Sequence, residues 1–339
     1  MFTSMAFWYD FLADSLTPRA DEDMKSCVAL ASTVLSTFFR IPQYEIFSKS
    51  HFAIAVFAAC TVWRHLMSRS SKVYIVVAAS LFSITALIRY GRLVLRNVTW
   101  GRPFATTRLT RVKDAMRVQI AVSRPWEIQA GDFIYLWMPG VSFWSCAQSH
   151  PFVVSWWDQN VDGKAGNIYL LVKPQAGFTQ KLLRHAGSES LRAWVDGPYG
   201  RAIGIGDYGS VLMFATGIGI TAQVPYVKQL LKGFQSYRVR TKSILLVWQL
   251  DNESDQEWVQ EWMSELLSED KGAYILRIRL YVLRNFEDKT TSYGDKEDYG
   301  EHERIKKLYG KPHLEKLIER EVENRRGRLM ITSKLEQSK

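Results

Sequence analysis

Cysteine is scarce in this sequence, and histidine is nearly as scarce. The 339 residues include three cysteines and six histidines. Cys27, Cys60 and Cys146 lie far apart and show neither metal-binding nor redox spacing, which excludes a disulfide framework and a zinc module. Redox chemistry in this chain would therefore need a bound cofactor.

The N-terminal segment, residues 1–24, lacks the features of a signal peptide. It has no basic flank ahead of an apolar stretch. It carries acidic residues instead, namely Asp10, Asp14, Asp21, Glu22 and Asp23. An ordinary secretory signal is therefore excluded.

The composition is that of a folded chain with a basic balance. Apolar residues make up 47% and charged residues 23%, which excludes a disordered chain, a collagen and a simple coiled coil. The net charge is +10. Because the basic residues form no stripe interleaved with aromatic residues, we expect no nucleic-acid partner.

Two apolar runs, 46–67 and 73–95, are long enough for transmembrane helices, since a span needs about 20 residues. A shorter run, 27–39, is a third candidate. Residues 25–97 are therefore predicted to form a multi-pass region in contact with membrane lipid. Arginines that follow the last run place everything after it in the cytosol by the positive-inside rule.

The pattern changes twice after Trp100. Short alternating runs separated by Gly and Pro turns predict an antiparallel β-barrel over 100–206. From residue 208 to 339, strands alternate with helices, which predicts a parallel α/β domain. Within it, 285–303 is predicted to be a solvated insertion. The expected fold class is multidomain α+β, with N-terminal membrane helices, a barrel and a Rossmann-like domain.

A glycine-rich turn follows the first strand of the α/β region and opens a helix. It reads Gly217, Ile218, Gly219, Ile220 and Thr221. Such a turn lets backbone N–H groups approach a phosphate. The third glycine of the Rossmann fingerprint is absent, so a tight strand-to-helix turn without nucleotide remains an alternative.

Three further segments, read in order with this turn, carry a family resemblance. They are His150, Pro151, Phe152 and Val153; Lys173 with Gly177, Phe178 and Thr179; and Gly197, Pro198, Tyr199 and Gly200. The order resembles the flavin and nicotinamide module of the ferric reductase and NADPH oxidase family, which is related in fold to ferredoxin-NADP reductase.

The resemblance implies that these three segments bind FAD and that the glycine-rich turn, with Gly217, Gly219, Ile220 and Thr221, binds NADPH. The His-Pro-Phe strand would line the flavin, and the Gly-Phe-Thr turn would receive the FAD pyrophosphate, with Thr179 able to cap the helix. Val153 departs from the Ser or Thr that is common in the family. Asp251 would repel a 2′-phosphate, so NADH remains open.

His51 and His65 lie 14 residues apart in the first predicted span. On a helix this spacing is about 1400° of rotation and ~21 Å of rise, which puts both on one face. Imidazole ligates haem iron, so haem b is the interpretation, with interfacial histidines as the alternative. The resemblance makes residues 25–97 a partial ferric-reductase-like membrane region.

The resemblance is incomplete at both ends. No histidine precedes His51, and the Cys-Gly-Pro segment of relatives does not follow the strand predicted at 329–332. We therefore expect a truncated chain, in which a partner chain would supply the missing haem ligands. The resemblance implies electron transfer from NADPH through FAD, and through haem, to a ferric chelate at the plasma membrane. The alternatives are a haem-free NAD(P)H dehydrogenase with a soluble acceptor, and an inactive relative that acts through a partner.

Overall fold

The computed structural model describes most of the chain beyond residue 43. The described residues are 44–66, 68–99, 104–141, 149–175, 177–187, 190–270, 272–286, 292–299 and 304–336. They belong to two compact units, Met1–Arg92 and Leu93–Lys339. The predicted segment 1–24 and the candidate helix 27–39 lie outside the described residues.

Two long helices come first, α1 (Tyr44–His65) and α2 (Arg69–Asn97). Within the described residues, α2 alone is long and apolar enough to cross a membrane, and none of the residues in its most apolar window is buried. Large apolar side chains such as Leu87, 70% exposed, favour a lipid environment for this helix. The apolar stretch of α1 is shorter, Ser50–Arg64, so the predicted span 46–67 stays a prediction.

Eight antiparallel strands and one short helix follow. The strands are β1 (Thr106–Val112), β2 (Ala115–Trp126), β3 (Phe133–Trp137), β4 (His150–Val153), β5 (Trp156–Gln159), β6 (Ala165–Val172), β7 (Leu191–Arg192) and β8 (Trp194–Tyr199), and α3 is Phe178–Leu183. They form a five-stranded sheet, β5-β6-β2-β1-β7, and a three-stranded sheet, β4-β3-β8. The predicted antiparallel barrel architecture is confirmed.

Alternation along the strands explains the barrel core. In β3, Ile134 and Leu136 are fully buried while Phe133 and Tyr135 are half-exposed, as the period of two requires. Met116, Ile120 and Leu170 from the larger sheet join the same cluster. Each fully buried side chain of this size contributes about 1.5–3 kcal/mol relative to an exposed one.

The last residue of α2 is built into the barrel. The Asn97 side chain is 2% exposed. Its carboxamide donates to the Val195 carbonyl at 2.9 Å and accepts from the Val195 N–H at 2.8 Å. It therefore pairs with β8 as a strand residue would.

The second domain of this unit is α/β. Its strands are β9 (Ser210–Thr216), β10 (Ser243–Asn252), β11 (Leu276–Arg284), β12 (Lys296–Tyr299), β13 (Ile305–Tyr309) and β14 (Leu329–Lys334), and its helices are α4 (Ile220–Gln235), α5 (Gln260–Glu269) and α6 (Leu314–Glu323). The sheet order is β12-β13-β11-β10-β9-β14. All neighbours are parallel except β12 and β13, which confirms the predicted α/β class.

Part of the predicted solvated insertion 285–303 is ordered at the edge of the sheet. Within it, β12 pairs antiparallel with β13, with Glu297 opposite Lys307. The hydroxyl of Tyr309 donates to carboxylates of Glu253 and Glu297, 3.1 Å from each. Asp298 pairs with Lys306 across the two strands at 3.4 Å, and this cross-strand charge pairing explains why so polar a segment still forms a strand.

The barrel and the α/β domain share a buried contact, which we call the Lys228 interface and define by Trp156, Trp157, Lys228, Trp262 and Glu265. The Lys228 ammonium lies 3.5 Å from the centroid of the Trp156 ring and donates to the Trp157 carbonyl at 3.0 Å and to Glu265 at 3.2 Å. The rings of Trp156 and Trp262 stack at 5.8 Å. Aromatic and cation–π contacts thus join the two domains.

Candidate functional site

An aromatic face covers the outer side of the three-stranded barrel sheet. Phe133, Tyr135 and Tyr199 form a triangle of rings whose centroids lie 5.7–5.8 Å apart. The register places Pro151 beside Tyr135 and Val153 beside Phe133. Val153 is 38% exposed, and the three rings are half-exposed. This surface can therefore pack against a flat ring system.

The predicted flavin strand is β4, at the edge of its sheet. Alternate residues of an edge strand direct their backbone groups away from the sheet; in β4 these are Pro151, which has no N–H, and Val153, which has one. Phe152 faces inward against the barrel core. Its place in the core agrees with a packing role and puts Pro151 and Val153, rather than Phe152, on the aromatic face.

His150, at the start of β4, stacks on Phe178 at 4.0 Å and 13°. Phe178 is the first residue of α3, so this contact fixes the helix start beside the predicted flavin strand. Gly177, at the N-cap, has φ +77° and nothing within 4 Å of an added Cβ. Glycine is required for this backbone, and a phosphate could approach it.

The expected capping role of Thr179 is wrong. The N-cap of α3 is Gly177, with no side-chain cap. Thr179 lies inside the helix, and its hydroxyl accepts from the Gln175 N–H at 2.9 Å. Thr179 therefore closes the loop before α3 and does not cap the first N–H groups of the helix.

The segment from Gly197 to Gly200 contains the end of β8 and contributes Tyr199 to the aromatic face. Gly197 has φ +140°, and a Cβ there would press on Ile134 at 3.1 Å. Pro198 follows it, and the Tyr199 hydroxyl donates to Asp196 at 2.8 Å. The glycine lets β8 lie close against β3 and so sets the position of the Tyr199 ring.

The glycine-rich turn lies at the carboxyl end of β9. Gly217–Gly219 form one 3-10 turn, and Gly217 has φ +47°. The buried Trp248 donates its indole N–H to the Gly217 carbonyl at 2.9 Å. Ile220 is fully buried at the start of α4, with Thr221 half-buried beside it. The Trp248 indole thus fixes the backbone of the turn at the Gly217 carbonyl.

Lys173 lies between the two domains rather than on the aromatic face. Its ammonium pairs with Glu336 at 3.1 Å and approaches Asp114 at 3.8 Å. Burial lowers the pKa of Lys173, but the hydrogen bond and charge of Glu336 outweigh burial, so that its pKa is raised. Lys173 is therefore a cation at neutral pH. Its role toward a flavin stays a prediction.

Both candidate haem ligands lie on α1. His51 is half-buried within the helix, and His65 is its last residue. Among the described residues no group of three or more His, Cys, Asp and Glu side chains could hold a metal ion. Haem ligation by His51 and His65 stays a prediction.

Sequence reasoning missed several residues of the site. Tyr135 sits two residues from Phe133 on one strand, a spacing that could have indicated a shared aromatic face. Trp248 lies in a continuous apolar run and gave no such signal. Glu336 follows the last strand and accepts from the Ile218 N–H at 3.2 Å, a contact that depends on the sheet order.

Two family models match the chain. The ferric reductase NAD binding domain matches residues 208–333 and an FAD-binding domain matches residues 100–203, together about two thirds of the chain. They coincide with the α/β domain and the barrel.

Among curated proteins, the chain is 25% identical over 231 residues to ferric/cupric reductase transmembrane component 2 of Saccharomyces cerevisiae, which covers 66% of this chain and 30% of that protein. It is 25% identical over 235 residues to a probable cell surface ferric reductase of Aspergillus oryzae, at 64% and 30%. The chain thus spans about 30% of the length of these relatives.

Among solved structures, a ferredoxin NADP+ reductase from Neisseria gonorrhoeae with bound FAD and NADP has a TM-score of 0.43 at 14% identity, covering 68% of this chain and 84% of that one. The FAD/NAD binding domain of a nitric oxide dioxygenase from Vibrio cholerae has a TM-score of 0.40 at 10% identity, covering 68% and 99%. The two domain matches and the curated relatives agree, and the chain therefore belongs to the ferric reductase family, of which it carries the FAD-binding and NAD-binding domains.

Proposed function

We propose that this chain is a membrane-bound flavoprotein oxidoreductase that transfers electrons from NADPH through FAD to a ferric chelate. The aromatic face of Phe133, Tyr135 and Tyr199 carries the proposal, because it offers a flat apolar surface beside an edge strand in the domain that matches an FAD-binding model. Bound FAD would accept two electrons from a nicotinamide and release them singly.

The chain's own residues would bind and orient the two cofactors. Pro151 and Val153 would border the ring system, and the backbone N–H of Val153 would replace the hydroxyl that its side chain lacks. Gly177 would let the pyrophosphate approach α3, and the glycine-rich turn would receive the nicotinamide nucleotide. The choice of NADPH over NADH rests on the resemblance alone. Asp251 is exposed near the end of β10, and its charge would repel a 2′-phosphate rather than bind it.

The finer features of this function rest on the same resemblance. We place the chain in the plasma membrane with both cofactor domains in the cytosol. His51 and His65 would ligate haem b, and a partner chain would supply the remaining ligands. The curated relatives are ferric reductases by name, which supports a ferric chelate as acceptor.

A haem-free NAD(P)H dehydrogenase is the second candidate. The observation that favours it is the short apolar stretch of α1, Ser50–Arg64, since a helix that binds haem within a bilayer needs about 20 apolar residues. An inactive relative that acts through a partner chain would keep flavin without accepting electrons from NADPH.

An anaerobic absorption spectrum of the detergent-solubilised chain, before and after NADPH, separates these functions. Flavin bleaching with reduced haem bands supports the proposal, and bleaching without haem bands supports the haem-free dehydrogenase. Flavin that stays oxidised would show that the chain is no NADPH oxidoreductase.

A pair of tyrosine variants tests the aromatic face. Tyr199→Ala should lower the flavin content of the purified chain severalfold, because it removes one ring of the triangle. Tyr237→Ala is the matched control, since Tyr237 is 96% exposed on the α/β domain. Equal flavin content in both variants would exclude the aromatic face as the flavin site.

A further inference from the structure

Glu336 lies on the glycine-rich turn because of the sheet order. The strand before it, β14, runs parallel to β9, with Lys334 opposite Ala215. The chain beyond β14 therefore passes along the turn that follows β9. The Glu336 N–H donates to the Thr216 hydroxyl at 2.7 Å, which fixes the backbone of Glu336 beside the turn.

The Glu336 carboxylate takes the space that glycine leaves open. One oxygen accepts from the Ile218 N–H at 3.2 Å, and an added Cβ on Gly217 would overlap that same oxygen. The other oxygen pairs with Lys173 at 3.1 Å. An acidic side chain thus occupies the anion position of the turn and pairs with a cation, Lys173.

We infer that Glu336 is an internal competitor for the phosphate of the nicotinamide nucleotide. Backbone N–H groups at such a turn bind phosphate, and a carboxylate on the same N–H must leave before a pyrophosphate can bind. The inference rests on the proposed function and assigns the regulation of its nucleotide site.

Lys173 is the group that the two anions share. Once the carboxylate leaves, Asp114 at 3.8 Å and the more distant charge of Asp255 still face Lys173, but its close hydrogen-bond partner is gone, so Lys173 can pair with a pyrophosphate oxygen instead. The exchange of one anion for another keeps the cation paired in both states. Lys173 is therefore a nucleotide-binding residue in this scheme, and Glu336 holds it beside the turn until the nucleotide arrives.

The test is nucleotide affinity, measured by titration calorimetry with NADP+ on the full chain in detergent with FAD. Glu336→Ala removes the competitor, so the dissociation constant should fall about tenfold, the low end of what a hydrogen bond to a charged group contributes. Glu336→Gln keeps the shape without the charge and should lie between. Glu257→Gln is the matched control, because Glu257 pairs with Lys113 at 3.0 Å outside the turn and should leave the affinity unchanged.

Lys173→Met provides the second arm. In the native background it removes both the cation that holds the competing carboxylate and the partner of the pyrophosphate, so the two effects oppose each other and affinity should fall only slightly. In the Glu336→Ala background Lys173 has no Glu336 pair to lose, so only the lost pyrophosphate contact remains and the loss should be larger. Equal losses in both backgrounds would show that the two side chains act independently and would overturn the exchange.

Hydrogen exchange gives a readout that a purely structural role would not move. NADP+ should slow exchange of the Ile218 amide, which exchanges the Glu336 carboxylate for a phosphate, and this slowing should be larger in Glu336→Ala, where the amide has no carboxylate to lose. Unchanged affinity in Glu336→Ala, with NADP+ still bound, would overturn the inference alone. Failure of NADP+ to bind any variant would overturn the inference together with the proposed function.

Discussion

Replacing Lys228 is the sharpest test of how the barrel and the α/β domain are joined. The side chain is 2% exposed, and its ammonium contacts the Trp156 ring, the Trp157 carbonyl and Glu265. Its removal forfeits a desolvated cation–π contact of about 2 kcal/mol and leaves the buried Trp157 carbonyl unpaired, at a cost of about 1–3 kcal/mol.

An opposing effect reduces this loss. The ammonium no longer has to be desolvated, which is worth several kcal/mol for a buried ion. Lys228→Met keeps the apolar stem, so we expect a change in the free energy of unfolding of about 1 kcal/mol or less. Lys228→Ala also opens a cavity, so we expect a loss of about 3 kcal/mol.

Thermal unfolding of the full chain in detergent, followed by tryptophan fluorescence, measures this difference. For a unit of this size a loss of about 3 kcal/mol lowers Tm by about 6–12 °C. Lys232→Ala is the control, because Lys232 lies one turn further along α4 and donates to Gln159 at 2.7 Å on the surface. If Lys228→Ala unfolds at the native temperature, the interface does not stabilise the chain and the reasoning is wrong.

The same residue predicts a pH dependence. Burial lowers the pKa of Lys228 below its ordinary value of 10.5, although Glu265 opposes the shift. Between the lowered pKa and 10.5 the unfolded chain binds a proton that the folded chain has released, so stability rises with pH there. Lys228→Met should lose this slope. An identical pH profile of Tm in the native chain and in Lys228→Met would contradict the shift.

Two further substitutions test the barrel and the turn. Asn97→Ala should lower the free energy of unfolding by about 2 kcal/mol, because it leaves the buried N–H and carbonyl of Val195 without their hydrogen-bond partner. Chemical denaturation of the full chain measures this loss, and an unchanged midpoint would contradict the pairing. Gly217→Ala, at φ +47°, should raise KM for NADPH severalfold without loss of flavin, while Gly166→Ala, with nothing within 4 Å of an added Cβ, should leave KM unchanged. A raised KM in both variants would count against a special role of the turn.

The sequence predicted the fold class well because both domains have strong local periodicity. Alternation in β3 and the continuous apolar runs of β9 and β10 each indicate one kind of sheet. Boundaries were less accurate. The hairpin between β1 and β2, for example, turns at Lys113, which adopts φ +55°, and nothing in its residue type favours that conformation.

The site was only partly predictable. Motif residues such as Gly177 and Gly217 were found because a backbone requirement restricts them to glycine. Thr179 was misassigned because a threonine near a helix start can bond either forward or backward along the chain. Glu336 could not be found, because its contact with Ile218 spans 118 positions and depends on β14 lying beside β9.

The Lys228 interface also limits how freely the two domains can be recombined. A chimera that joined this barrel to the α/β domain of a relative would bury Trp156 and Trp157 against a new helix surface. Without a cation at the position of Lys228, the Trp157 carbonyl would be left without its donor. The barrel and the α/β domain are therefore separate in topology but share one packed surface, and a working exchange needs a long side chain, cationic or apolar, at the position of Lys228 to cover Trp156 and Trp157.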